Sequence, residues 1–79
     1  MAHKRFDVTT VIALNELTES VNLIPDVGVT FNISYWTGES WFPDASNPQS
    51  EAVNALVQCT KIQVEPIGGF VQVVGKGDF

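Results

Sequence analysis

The sequence predicts an all-β domain, a small antiparallel β-sandwich or barrel of about five to seven short strands. Three observations predict it. Turn-forming residues punctuate the chain at Pro25-Asp26-Val27-Gly28, Thr37-Gly38-Glu39-Ser40, residues 43–50, Pro66-Ile67-Gly68-Gly69 and Gly75-Lys76-Gly77. The segments between them are short and rich in Val, Ile, Thr and aromatic side chains, which suit a pleated, half-buried surface. Several of these segments alternate apolar with polar residues, the repeat of a strand that buries one face.

In chain order, residues 1–8 read as a flexible basic arm. His3, Lys4 and Arg5 stand together there, and Lys4 and Arg5 are half of the four Lys and Arg residues in the chain. Residues 9–79 read as a single β domain. Residues 9–14 carry Thr, Val and Ile and suit a strand. Residues 20–24 read as a short strand with Val21 and Leu23 inward.

From Val29 onward the pattern is regular. Val29, Phe31, Ile33 and Tyr35 share one face, and Thr30, Asn32, Ser34 and Trp36 the other. The Thr37-Gly38-Glu39-Ser40 loop reverses the chain and sets Trp36 opposite Trp41 and Tyr35 opposite Phe42. Tyr35 and Phe42 are then expected in the core, with the tryptophans paired on the other face. Pro43, lacking an N–H, limits further pairing. Residues 51–57 fit either a strand or one short helical turn, since Ala52, Val53, Ala55 and Leu56 also match a helical period. A second hairpin is expected around Pro66-Ile67-Gly68-Gly69. It pairs Val64 with Val71 and Ile62 with Val73 on the apolar side, and Gln63 with Gln72 and Glu65 with Phe70 on the other.

Length and composition bound the function. At 79 residues the chain holds one core, and domains of this size usually need a disulfide, a metal or a partner subunit. One cysteine, Cys59, excludes an intrachain disulfide, and Cys59 with His3 cannot make a structural zinc site. Association with other chains is the device that remains. Charged residues are 16% of the chain, against roughly 25% in soluble domains, so much of the surface is neutral or apolar. The net charge of −5 speaks against nucleic acid as a partner. No apolar run is long enough to span a membrane, and the start lacks the order of a secretion signal. Asn32-Ile33-Ser34 matches a glycosylation sequon and reads as chance.

Catalysis has no foothold. The acidic residues are dispersed, Cys59 has only His3 as a base and reads as a buried, inert thiol, and Gly68-Gly69 lacks the Lys and helix of a phosphate cradle. No catalytic, cofactor-binding or metal-ligating residues are assigned, and no cofactor is expected. The informative residues are Trp36 and Trp41. They clip the hairpin or form a core pair in a second layer, or they form an exposed platform for a protein partner or a sugar ring. Phe70, on the polar side of the second hairpin, and Lys4 and Arg5, able to meet an acidic surface, complete the expected partner interface.

The run Leu17-Thr18-Glu19-Ser20-Val21-Asn22-Leu23, then Gly28-Val29-Thr30-Phe31-Asn32-Ile33-Ser34, then Gly38-Glu39-Ser40-Trp41-Phe42-Pro43, resembles small β-sandwich virion proteins of tailed bacteriophages. There a strand of the form VTLxVS leads through a Gly-containing loop into a Trp-bearing strand. Thr60-Lys61-Ile62-Gln63-Val64 to Gly69-Phe70-Val71-Gln72-Val73 matches the late hairpin of that group, so the likeness covers roughly residues 17–74. The resemblance implies a non-enzymatic structural role, as a capsid decoration or cement protein or a minor head or tail component. Such a protein is made in the host cytoplasm and assembled into the virion. Its partners would be its own copies, the major capsid protein or other virion proteins. Two further readings stay open: a carbohydrate-binding β domain using Trp36 and Trp41, and a small acidic adaptor or inhibitor of a host protein.

Overall fold

The structure, a computed structural model, describes residues 2–15, 18, 20–56 and 59–76. Through the described residues run eight strands: β1 (Ala2–Phe6), β2 (Thr10–Ala13), β3 (Ser20–Pro25), β4 (Thr30–Trp36), β5 (Trp41–Pro43), β6 (Val53–Leu56), β7 (Lys61–Ile67) and β8 (Val71–Gly75). They make two four-stranded sheets, ordered β1-β8-β3-β6 and β2-β7-β4-β5, with every neighbouring pair antiparallel. The fold is a β-sandwich, and among the described residues there is no helix.

Alternation fills the space between the sheets. The first sheet contributes Phe6, Val21, Leu23, Ala55, Val71 and Val73, and the second Ile12, Phe31, Ile33, Ile62 and Val64. Val29 closes the core from a loop. Each Ile, Leu, Val or Phe removed from water here contributes about 1.5–3 kcal/mol before the entropy of ordering is charged against it. A core of eleven such residues and Ala55, among those described, leaves little surplus for a chain this short.

Residues 7–9, 26–29 and 68–70 each carry the chain from one sheet to the other. The two sheets therefore correspond position by position: β1 with β2, β8 with β7, β3 with β4, β6 with β5. Only the β4–β5 connection stays within a sheet.

That topology corrects the second hairpin. Val64 and Val71, and Ile62 and Val73, do face the same core, but from opposite sheets. Both edges of β7 are taken, by β2 and β4, and β8 lies between β1 and β3. An inward stripe is equally satisfied by a hydrogen-bonded neighbour and by a strand across the core, so alternation alone does not separate them.

Four further expectations change. The segment expected as a flexible arm is β1, an edge strand in which Phe6 pairs with Val71 and is buried; Met1 lies outside the described residues. Edge strands tolerate charge, which is why Lys4 and Arg5 do not prevent it. The strands number eight among those described rather than seven at most. The ambiguous segment is a strand over Val53–Leu56, where exposed Asn54 separates half-buried Val53 from buried Ala55; residue 57 lies outside the described residues. Phe42 is opposite Tyr35 as expected, yet it is 65% exposed, because β5 is a three-residue edge strand.

The free side of β4 is covered in an unusual way. β5 pairs only with Ser34, Tyr35 and Trp36. Below them residues 44–49 run alongside β4 as a substitute strand. Asp44 N–H donates to the Ile33 carbonyl at 2.9 Å. The Asn47 amide takes both backbone groups of Ile33, accepting its N–H at 3.0 Å and donating to its carbonyl at 2.9 Å. Gln49 and Phe31 then exchange backbone bonds of 2.7 and 3.0 Å. Since Ile33 and Phe31 turn their backbone groups this way, Phe31 exchanges no ladder bond with its partner Pro66. Proline inside β7 thus removes no bond on the β4 side, and β2 ends at Thr10 opposite Val64, short of it.

Gly69 marks where two of the crossing loops touch: a Cβ there would lie 2.6 Å from Cγ2 of Val29. Gly69→Ala is expected to destabilise the fold by about 1–3 kcal/mol, read as a lower urea midpoint at unchanged slope. Val27→Ala, two residues from Val29 but fully exposed, is expected to leave that midpoint unchanged.

Candidate functional site

All of the expected interface residues but Lys4 fall at two places. Lys61 and Ile67 mark the two ends of β7, and each end carries one group.

At the Lys61 end, on the outer face of the second sheet, Trp36 sits opposite Trp41 as expected. Their ring centroids are 5.2 Å apart and their planes tilted by 60°. The Lys61 ammonium lies 4.7 Å from the centroid of the Trp36 ring. Both tryptophans are half-buried. The hairpin loop beside them is closed by Thr37, whose N–H donates to the Ser40 carbonyl at 3.0 Å and whose Oγ1 accepts from the Ser40 N–H at 3.2 Å. Gly38 supplies the left-handed conformation at φ 101°. Tilted rings, one of them facing an ammonium, brace the turn and do not make a common flat stacking surface.

At the Ile67 end the three crossing loops converge. Asp26 N–H donates to the Phe70 carbonyl at 3.0 Å, tying two of them together. Arg5 binds both: its guanidinium pairs with Asp26 at 2.7 Å and lies 4.1 Å from the Phe70 ring centroid. Arg5 and Asp26 are each about half exposed, so the pair orders the surface more than it stabilises the fold. Around this cluster stand Val8 at 66% exposure, Val27 at 104%, Ile67 at 45% and Phe70 at 36%. Apolar side chains collected at a loop-built tip are the sort of surface that a partner covers.

The structure thus brings together Trp36 with Trp41, and Arg5 with Phe70, but not the two groups with each other. Lys4 joins neither: it pairs with Val73, on the core-facing side of β1, and is nonetheless exposed. Sequence reasoning missed Val8, Val27 and Ile67. The available signal was an apolar residue inside a turn: Val8 after Asp7, Val27 between Asp26 and Gly28, and Ile67 between Pro66 and Gly68.

Cys59 is half-buried against the core, and its thiol donates to the Lys61 carbonyl at 3.1 Å. Among the described residues no three His, Cys, Asp or Glu side chains gather as metal ligands would. No protein-family model, curated protein or solved structure shows a significant match to this chain.

Between the two ends lies a titrating pair, Tyr35 and Asp44, whose members are shifted in opposite directions. Tyr35 Oη donates to Asp44 Oδ2 at 2.9 Å. Burial, then this bond, then the charges of Asp44 and Cys59 push the Tyr35 phenol up to about 12. The Ser46 N–H bond to Asp44, followed by the Tyr35 bond, holds the Asp44 carboxyl below its usual range. Raised in the folded state, the phenol supports the fold below the ordinary tyrosine pKa near 10 and loses that contribution as pH rises toward 12. Asp44, lowered, supports the fold above the ordinary aspartate value near 3.8 and loses this as pH falls through its depressed value. Tyr35 is the only tyrosine, so absorbance near 295 nm reports it alone. The expected midpoint is about 12 in the wild type. In Asp44→Asn it moves down but stays above 10, because burial, the largest cause, remains.

Proposed function

We propose that this chain is a non-enzymatic structural subunit of a tailed-phage virion, a capsid decoration or cement protein or a minor head or tail component, acting by protein–protein assembly. The observation that carries the reading is the loop-built end, where Val8, Val27, Ile67 and Phe70 are exposed around the Arg5–Asp26 pair. A small sandwich that leaves four apolar side chains on one tip, held in place by a loop-to-loop hydrogen bond and a stacked arginine, is shaped to meet another protein. The resemblance of residues 17–74 to small virion proteins supplies the kind of partner: major capsid or other virion proteins, with the chain localised to the assembled particle. Nucleic acid, membrane and cofactor have no part in the proposal.

The same end would also serve an adaptor that docks on a host protein, and sedimentation separates the two. A sugar platform is less favoured, since Trp36 and Trp41 are tilted by 60° and Lys61 lies against Trp36.

The test is co-sedimentation with capsids of the phage that encodes the chain. Wild-type protein is expected to pellet with them, and Val27→Asp combined with Phe70→Ala to weaken binding at least about tenfold, since anchors of this kind each contribute 1 kcal/mol or more. Trp41→Ala is expected to reduce hairpin stability with a smaller effect on binding. A protein that ignores capsids but binds a glycan array through Trp41 would overturn the proposal.

A further inference from the structure

The four edge strands of the sandwich are not alike, and the difference has a direction. In the second sheet, β5 is three residues long and ends in Pro43, residues 44–49 cover the rest of β4, and the opposite edge is the uncharged four-residue β2. In the first sheet both outer edges, β1 and β6, are free of any strand among the described residues. They differ in charge. β1 carries His3, Lys4 and Arg5, whereas β6 is Val-Asn-Ala-Leu without a charge and is preceded by exposed Glu51. The chain is otherwise acidic, at a net −5 with half of its Lys and Arg on this one strand.

We propose that a second copy of this chain adds its β6 edge to β1, continuing the first sheet from one copy to the next. Strand direction permits it without inversion. Successive antiparallel pairs along β1-β8-β3-β6 leave β6 pointing opposite to β1. A copy shifted sideways therefore presents an antiparallel partner with its core face on the same side. Charge selects it. Pairing β1 with another β1 would set Lys4 and Arg5 against their own copies, and like charges directly opposite destabilise a ladder. Pairing with β6 brings the cations beside a neutral strand and toward Glu51. Length matches too, five residues against four. Such a contact is heterologous, so it extends beyond a dimer, into a ring or a filament. It runs along a lateral edge and shares only Arg5 with the loop-built end, so the β1–β6 ladder does not require that end to meet a capsid.

The experiment is sedimentation equilibrium of the full chain over a range of concentrations, at about 0.05 M and about 0.5 M salt, where screening of exposed charges differs strongly. Species heavier than a dimer are expected at low salt, with association at least about tenfold weaker at high salt. Lys4→Glu and Asn54→Lys, both at exposed positions, are each expected to give monomers at low salt, with near-ultraviolet circular dichroism of the tryptophan pair confirming that each folds. A monomer at every concentration, or a salt-indifferent dimer that Asn54→Lys leaves intact, would each overturn the proposal.

Discussion

The inward side chains of each sheet have nothing to cover them but the inward side chains of the other. With no disulfide possible and no helix among the described residues, apolar contact across that gap is what holds the two sheets together. The crossing loops follow from it. By passing from sheet to sheet at nearly every turn, the chain places Val21 and Leu23 on one side of the core and Phe31 and Ile33 on the other within a dozen or so residues. Local sequence thus supplies both halves of a contact, and no long connection is needed to bring the sheets together.

What could be read from the sequence was local, and what could not be read was the choice between equivalent partners. The β4–β5 hairpin is legible down to its register because the loop fixes it: Trp36 meets Trp41 and Tyr35 meets Phe42. The inward stripe of Ile62, Val64, Val71 and Val73 was equally legible, as was that of Val21 and Leu23. Which sheet each stripe belongs to was not, because a buried face looks the same from either side. Charge misled at β1, where Lys4 and Arg5 suggested a solvated tail; on an edge strand those side chains reach water while Phe6 reaches the core. Parity was right and burial wrong at Phe42, since nothing in a pattern of two shows that a strand is the last in its sheet.

Polar residues in this protein do structural work that composition disguises. Residues 44–49 read as a loop of Asp, Ser, Asn, Pro and Gln, and they are a loop by secondary structure. By hydrogen bonding they are the missing half of β5. Asn47 reproduces with one side-chain amide the donor and acceptor of a peptide group, and Gln49 returns to backbone pairing. Asp44 joins the same segment to Tyr35, so the hydroxyl of a partly buried aromatic is satisfied by the segment that covers the sheet. The candidate interface is legible in the same limited sense. Single aromatic and basic residues were visible in the sequence; the convergence of three loops that turns Val8, Val27, Ile67 and Phe70 into one surface was not.

The placement of β8 has a consequence for the order of events during synthesis. Val71–Gly75 follows every other described strand in the chain and yet occupies an interior position, between β1 and β3. As the ribosome delivers the chain, β1 and β3 have no common neighbour to hold them, and the first sheet stays open until Val71–Gly75 has emerged. Closure of that sheet therefore waits for β8, and the apolar stripes of the earlier segments must wait in the company of water or of helper proteins.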